Sequence, residues 1–445
     1  MTTASLLAST DTELSSYAYS YPHKSSYRAL SPPVRIAAVW RDEDASLLSL
    51  YVHLPFCEMR CGFCNLFTQS QPTGGTVDDY LATLHRQMNV IRREIPQARF
   101  QQFAIGGGTP TLLSVHQLSA LLRGIEESFD VPISQLPTSI ETSPTTATSD
   151  RLQVLHDFGV QRISLGVQSF LTTDSQLFGR PQKAAEVFAA LDRIRDASLP
   201  ILNIDLIYGD PQQSLDSWLA SVREALRYRP EELYLYPLYV RPDTGLAKVG
   251  RSATTHRSDL YRAARDLLRE TGYQQTSLRG FRWPGVVTPS TYTCQRDGMI
   301  GMGCGARSYT QSLHYGTRFA TTQTGIKAIL GEWVSQTDEE LALATHGFPL
   351  DADEQLRRYV IMSLLQVEGL SITEVRQRFP DASIELLPEW SLLEERGWLQ
   401  RKAERYVLTE SGIENSDRVG PILYSPHVRE QLRLFVERTA SFEGG

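Results

Sequence analysis

SLLSLYVHLPFCEMRCGFCN, residues 46–65, runs an apolar β-rich segment straight into three cysteines spaced C-x3-C-x2-C. The whole chain has five cysteines, and the other two, Cys294 and Cys304, lie more than two hundred residues downstream. So tight a cluster in so cysteine-poor a chain reads as a metal or redox site, because five scattered thiols make a poor disulfide framework. A structural zinc site wants four closed ligands and would need Cys294 or Cys304 to return as the fourth. An iron–sulfur cluster of four irons is normally held by four thiolates. With only Cys57, Cys61 and Cys64 supplied, one iron stays open to a small molecule.

Outward from this stretch the chain alternates short β-rich runs with helical patterns. The runs are SLLSLYVHL (46–54), FQQFAIGGG (100–108), TSIETS (138–143), VQRISLGVQSF (160–170), ILNIDLIYG (201–209) and ELYLYPLYV (232–240). Amphipathic stretches such as VDDYLATLHRQMNVIRREI (77–95) separate them. This rhythm predicts an α/β fold with a parallel sheet, and six strands fall short of a closed eight-stranded barrel, so a partial (β/α)6 barrel is expected. Polar or glycine-rich residues follow each strand, at the edge where α/β proteins build their sites.

Residues 1–45, rich in Ser and Tyr with a Pro-Pro pair at 32 and 33, show no sustained periodicity and read as an extension laid over the barrel. The barrel and its elaboration are expected over 46–330. A smaller domain follows over 331–445, where a helical pattern, Gly397 and two short β-like runs suggest a winged-helix-like unit. A winged helix can read DNA, but acids dilute Arg396, Arg401, Lys402 and Arg405. A packing or lid role is therefore expected there, and nucleic acid is not an expected partner.

The formal net charge of −7 argues against a general nucleic-acid or anionic-membrane binder, and any anion site must be local. The N-terminal residues lack the basic and apolar regions of a secretory signal, and no segment has the apolar length of a membrane span. A cytoplasmic location with no membrane partner is expected.

Gly106-Gly107-Gly108-Thr109-Pro110 follows the apolar run FAI. The G-K-[S/T] ending of a phosphate loop is absent, so the glycines are read as letting the backbone approach a different ligand. Glu141, Gln168, Arg180 and Asp205 lie at or near the ends of later strands, and each would be unremarkable alone.

Together with LYVHLPFCEMRCGFCNLFTQ (50–69) and GGGTP, these residues resemble the radical S-adenosylmethionine (SAM) enzymes. In order and context they resemble one branch, the oxygen-independent coproporphyrinogen III oxidase-like proteins. The likeness extends over about residues 18–420, through YSYP (19–22), NIDLIYGDPQQ (203–213), YTCQRDGMIGMG (292–303) and LRRYVIMSLL (356–365). It implies a [4Fe-4S] cluster on Cys57, Cys61 and Cys64, with one SAM, or two, as cofactor. Reductive cleavage of SAM would give methionine and a 5′-deoxyadenosyl radical, and a flavodoxin-type reductase would supply the electron. By the same resemblance Phe63 lies beside the adenine, Gly107, Gly108 and Thr109 meet the methionine amino group, and Glu141 binds the ribose hydroxyls. Arg180 and Asp205 line that pocket, Gln168 contacts the ribose or a second SAM, and Tyr51 flanks the cluster.

The branch holds three activities: decarboxylation of coproporphyrinogen, haem carriage, and methyl or methylene transfer by class C methyltransferases, sometimes closing a cyclopropane. The small-molecule substrate expected here is a tetrapyrrole or another organic compound. Several positions depart from the oxidase pattern. Leu66 stands where the oxidases carry a further cysteine, and Arg279-Gly280-Phe281 stands in place of a D-H-F segment. Arg307 replaces an apolar residue that helps hold a second SAM. PSTYTC (289–294) has no histidine where haem chaperones show H-N-x-x-Y-W. Arg279, Arg282 and Arg307 are candidates for a carboxylate-binding set, since guanidinium pairs bidentately with carboxylates. Cys304, in GMGCGA, is expected to be a small packed residue.

Overall fold

The computed structural model describes residues 19–286, 298–382, 384 and 387–442, with side chains as far as 437. Strand β1 (Arg28–Arg35) precedes β2 (Leu48–Leu54), and the short β3 (Phe56–Cys57) and β4 (Gln69–Ser70) bracket the cysteines. The alternation with helices then continues through β5 (Phe100–Gly107), β6 (Thr138–Thr142), β7 (Arg162–Gln168), β8 (Ile201–Tyr208) and β9 (Glu232–Pro237). The strands β10 (Gln274–Gln275), β11 (Gly280–Arg282), β12 (Met299–Met302), β13 (Arg307–Tyr309), β14 (Leu313–Gly316) and β15 (Leu343–Pro349) complete the sheet.

The six expected strands, β2, β5, β6, β7, β8 and β9, pair in parallel and in that order. Their near-continuous apolar character, with six of the seven residues of β2 buried, is what a parallel sheet covered on both faces requires. The sheet is larger than six strands. β12 joins β2 as a seventh parallel neighbour, β13, β14, β15 and β1 continue antiparallel beyond it, and β11 and β10 flank β9. The result is an open, mixed sheet of thirteen strands whose parallel centre is the partial barrel. Two of its strands, β1 and β15, lie outside the span 46–330. The Pro32-Pro33 pair sits in β1 at the sheet's outer edge, where the pairing with β15 is irregular between Ala29 and Val34. An edge strand tolerates proline because the missing N–H faces no partner.

The helix Gly74–Glu94 shows how the layers join. Thr73 caps its start by accepting from the Thr76 N–H, and Val77, Tyr80, Leu81, Leu84, Met88 and Ile91 bury one face. Tyr80 on that face donates to the His53 carbonyl at 2.6 Å and packs on Phe56 and Trp333. The helix therefore fixes the end of β2 just before the first cysteine.

The smaller C-terminal unit runs helix Ala352–Leu364, β16 (Leu370–Ser371), helix Ile372–Arg378, helix Trp390–Glu395, then β17 (Leu399–Lys402) and β18 (Arg405–Leu408). Gly397, at φ +65°, ends the last helix, and the sheet order β16-β18-β17 is that of a winged helix. Arginines dock this unit on the barrel. Arg262 and Arg265 pair with Glu414, while buried Arg279 and half-buried Arg257 pair with Asp417. Removing the carboxylate from a buried guanidinium is costly. Asp417→Ala is therefore expected to lower unfolding stability by about 3 kcal/mol, read as a lower denaturant midpoint. Among the described residues no helix is long and apolar enough to cross a membrane.

Candidate functional site

The cysteine loop is pinned on three sides. At its ends, β3 and β4 pair in parallel, Phe56 with Gln69 and Cys57 with Ser70. In its middle the Gly62 N–H donates to the Gly179 carbonyl at 3.0 Å, and the Leu246 N–H donates to the Gly62 carbonyl at 2.8 Å. A Cβ at Gly62 would lie 3.0 Å from both the Gly179 Cα and the Phe178 oxygen, so only glycine lets the loop press this closely on the turn that ends the helix Thr172–Leu177. From beneath, the His53 ring reaches the Phe67 carbonyl with Nε2 and the Tyr51 hydroxyl with Nδ1, both at 3.0 Å. Burial holds the imidazole down to about 4. The ring is therefore neutral, and a proton on Nε2 leaves Nδ1 to accept from Tyr51.

The glycine-rich turn closes against the same loop. Gly108 donates to the Leu54 carbonyl and Thr109 to the Phe56 carbonyl, each at 2.7 Å. Gly107 has φ +108° and packs on His53, whose ring carbon would lie 2.4 Å from an added Cβ. Its N–H donates to Glu141 Oε2 at 3.0 Å.

Polar groups point at the sulfurs. The Thr109 hydroxyl lies 3.8 Å from Cys57 Sγ, an Arg180 guanidinium nitrogen 3.7 Å from Cys61 Sγ, and the Thr68 hydroxyl 3.8 Å from Cys64 Sγ. All three cysteines are half-buried free thiols. Burial first, and the neighbouring Cys64 and Cys61 after it, push Cys57 up to about 12, and burial also raises Cys61. Crowded thiols of this kind favour a bound cation, which compensates the thiolate charge. Among the described residues no three His, Cys, Asp or Glu side chains gather tightly enough for a single metal ion. A polynuclear cluster, in which each thiolate takes a separate iron, suits such donors better. The residues present fit a [4Fe-4S] group.

Around the lumen the remaining candidates converge. Asp205 accepts from Asn203 at 2.8 Å and from Ser164 at 3.2 Å, and burial raises its carboxyl. Glu141 stands close enough to feel that charge. Gln168 has φ +67°, a strained conformation for a non-glycine residue. Its amide lies over Gly166, 2.9 Å from where a Cβ would be, with Arg180 adjoining. Phe63 packs against the apolar patch of Phe178, Ile207, Leu238 and Leu246.

Water reaches the Glu141 carboxylate through the lumen, yet protein crowds it closely enough that burial lifts it to about 7, with Asp205 raising it further and the Gly107 N–H opposing. A carboxyl raised on folding contributes stability that is complete below the usual carboxyl range and lost as pH rises through about 7. Glu141→Gln is therefore expected to unfold slightly later than the parent at pH 8 and at the same point near pH 4. Lumen water keeps this difference small.

Two expected carboxylate binders are committed elsewhere. Arg279 is buried on Asp417, and Arg282 pairs with Glu232 at 3.0 Å, so neither faces the lumen with Arg307. The cause is burial: a guanidinium taken into the core brings its own acid. Cys304 is fully buried and packed, with its thiol raised by burial. Cys294 and the PSTYTC segment lie outside the described residues. Sequence reasoning missed His53; the available signal was a lone histidine inside an otherwise apolar strand, directly before the cysteines.

Comparison with known proteins bears on the family and the fold. The family profile for the radical SAM superfamily matches residues 51–225, and that for the HemN C-terminal domain matches 350–414. Oxygen-independent coproporphyrinogen III oxidase of Escherichia coli (strain K12) is 30% identical over 340 residues, covering 72% of this chain and 71% of that protein. Heme chaperone HemW of Bacillus subtilis (strain 168) is 27% identical over 382 residues, covering 82% and 96%. The solved structure of E. coli coproporphyrinogen III oxidase (HemN) superposes with a TM-score of 0.76 at 24% identity, over 94% of this chain and 98% of that one.

Proposed function

Given that the chain belongs to the radical SAM superfamily and, within it, to the oxygen-independent coproporphyrinogen III oxidase-like family, we propose that it cleaves S-adenosylmethionine reductively and turns the resulting radical on a tetrapyrrole or another small organic substrate. The observation that carries this reading is the cysteine loop itself: three thiols over the lumen, two of them approached by Thr109 from the turn after β5 and by Arg180 from the segment after the helix Thr172–Leu177. A [4Fe-4S] cluster on Cys57, Cys61 and Cys64 would supply the electron that breaks the S–C5′ bond of SAM.

The chain's own residues do the rest. Thr109 and Arg180 stabilise negative charge on the sulfurs they face. The turn at Gly107 and Gly108 offers backbone amide and carbonyl groups where no side chain intervenes, in the place expected for the methionine amino group. Glu141, held by the Gly107 N–H, is an acceptor for two ribose hydroxyls once ionised. Gln168, Arg180 and Asp205 line the wall beyond, and Phe63 offers an aromatic edge for adenine. Because Glu141 accepts best when ionised, SAM affinity is expected to rise between pH 6 and pH 8, and Glu141→Gln to weaken it by about tenfold or more while removing that rise. Equilibrium dialysis with labelled SAM reads both effects.

The direct test is anaerobic loading with iron and sulfide, reduction in the presence of SAM, and chromatography for 5′-deoxyadenosine. Its production supports the reading, and its absence from a fully loaded protein, with or without extracts containing substrate, refutes it. Methyl-labelled SAM then separates the chemistry: label in the product means carbon transfer, and unlabelled product with released carbon dioxide means decarboxylation. A second reading, haem carriage, has support in the HemW relative that matches along 96% of its length. Stoichiometric binding in a haemin titration would favour it. The electron donor we propose is a flavodoxin-type reductase.

A further inference from the structure

Among the described residues four arginines are buried, and three of them bring their own acid. Arg265 has Glu414, Arg279 has Asp417, and Arg357 has Asp353 at 2.8 Å and Glu389 at 3.1 Å. Arg358, the next residue on the same helix Ala352–Leu364, has none, although only 6% of it is exposed. Its Nη1 donates to the Thr310 carbonyl at 2.7 Å and to His314 Nε2 at 2.8 Å. Both acceptors are neutral, since burial keeps the His314 imidazole uncharged. The Nε and Nη2 of Arg358 bond to no described residue. A guanidinium out of water without a counterion is costly.

Arg358 lines a cavity of about 190 Å³ together with Gln311, Gln355, Tyr359 and Arg378. Gln311 belongs to the turn between β13 and β14, Gln355 to the helix of Arg358, and Arg378 ends the helix Ile372–Arg378. The Arg378 guanidinium lies 5.2 Å from the centre of the Tyr359 ring and, among the described residues, makes no ion pair. Two acids stand nearby, and both are engaged elsewhere. Glu43 caps the β13–β14 turn, accepting from the Gln311 N–H at 2.9 Å and the Ser312 N–H at 3.3 Å, and Glu374 accepts from the Tyr359 hydroxyl. Burial lowers the Arg358 guanidinium to about 10, with Glu43 opposing and Arg378 adding to it. Arg358 therefore stays a cation at neutral pH.

We infer that Arg358 and Arg378, with the amides of Gln311 and Gln355, form a binding site for a phosphate group in the cleft between the β13–β14 turn and the C-terminal unit. The planar fork of a guanidinium matches two phosphate oxygens at once, and two such cations match a dianion. Gln355 gives one amide N–H to the Leu350 carbonyl at 3.1 Å and keeps the other for a ligand. The cavity is smaller than the about 300 Å³ at which sites begin to enclose a whole organic ligand, so it suits an ion or a single phosphoryl group. A bound anion would supply the acid that Arg358 lacks. It would also tie the flank of the sheet to the C-terminal unit, in addition to the pairs at Glu414 and Asp417. None of these residues belongs to the cysteine site, and the inference stands apart from the function proposed above.

The test is equilibrium dialysis of radiolabelled inorganic phosphate against the full-length, cluster-loaded protein, with chloride holding the ionic strength constant. Saturable binding of about one phosphate per chain is expected, with a Kd below about 1 mM. Arg378→Met is expected to weaken it by about tenfold and Arg358→Met by more, the scale of a lost charged hydrogen-bond donor. Arg376→Met, exposed on the same helix as Arg378 but outside the cavity, is expected to bind as the parent does. Arg358→Met also takes a donor from Thr310 and His314. Arg378 is exposed and hydrogen-bonds to no described residue, so its variant decides the matter even where the other folds poorly. Glycerol 3-phosphate separates two sources of the ligand. Displacement of the label assigns the site to the phosphoryl group of an ester, and failure to displace it assigns the site to the free ion; either result keeps the site. A Kd weaker than about 1 mM, an Arg378→Met protein that binds as the parent does, or an Arg376→Met protein that loses as much as Arg378→Met, overturns the inference.

Discussion

Cys61→Ala is expected to leave the fold intact and to abolish both cluster retention and SAM cleavage. Cys61 sits at the centre of the loop, where its carbonyl accepts from the Cys64 N–H at 3.1 Å and its sulfur faces Arg180. The backbone tethers at Gly62, Phe67 and Gln69 do not use the thiol, so alanine removes a ligand and little else. Cys57 and Cys64 remain, and two thiolates cannot hold four irons. Mutating an outer-shell partner alone typically costs 10–100-fold in metal affinity. Losing a direct ligand should lower 5′-deoxyadenosine formation by more than about 100-fold. Iron content after desalting and the unchanged melting temperature of the metal-free protein check the two halves separately. A cluster-loaded, active Cys61→Ala protein would remove the loop from the site.

Gly108→Ala is expected to be the most damaging single methyl group near the site. An added Cβ would lie 2.4 Å from the Phe56 oxygen, 2.7 Å from its nitrogen and 2.8 Å from the Leu54 oxygen. All three are backbone atoms, so no side chain can swing away. Relief requires β2 and the turn after β5 to part, which breaks the 2.7 Å bonds from Gly108 to Leu54 and from Thr109 to Phe56. Overpacking of this kind costs about 3 kcal/mol, and the loop loses Thr109 beside Cys57 at the same time. Unfolding midpoint and cluster content should fall together. Gly75→Ala, where an added Cβ meets nothing within 4 Å, is the matched control and should leave both unchanged.

The parallel centre of the sheet and the cysteine site were legible because their signals are local. β2 and β8 are long apolar runs, and C-x3-C-x2-C lies within eight residues of chain. The flank of the sheet beyond β2 was not. β12, β13 and β14 are three or four residues each, too short for a period of two to show, and the Pro-Pro pair in β1 mimics a linker unless the edge position is known. Arg279 was misassigned because its partner Asp417 lies 138 residues away, and no local pattern announces a buried ion pair.

The function proposed for the chain rests on one claim, that Cys57, Cys61 and Cys64 hold a four-iron cluster with an iron open to SAM. Electron paramagnetic resonance of the reduced, reconstituted protein, recorded with and without SAM, tests it most directly. The account predicts a spectrum of a reduced [4Fe-4S] cluster that changes shape when SAM is added, and that is missing in Cys61→Ala. A cluster signal indifferent to SAM, or no cluster signal in a protein that binds zinc instead, would contradict it.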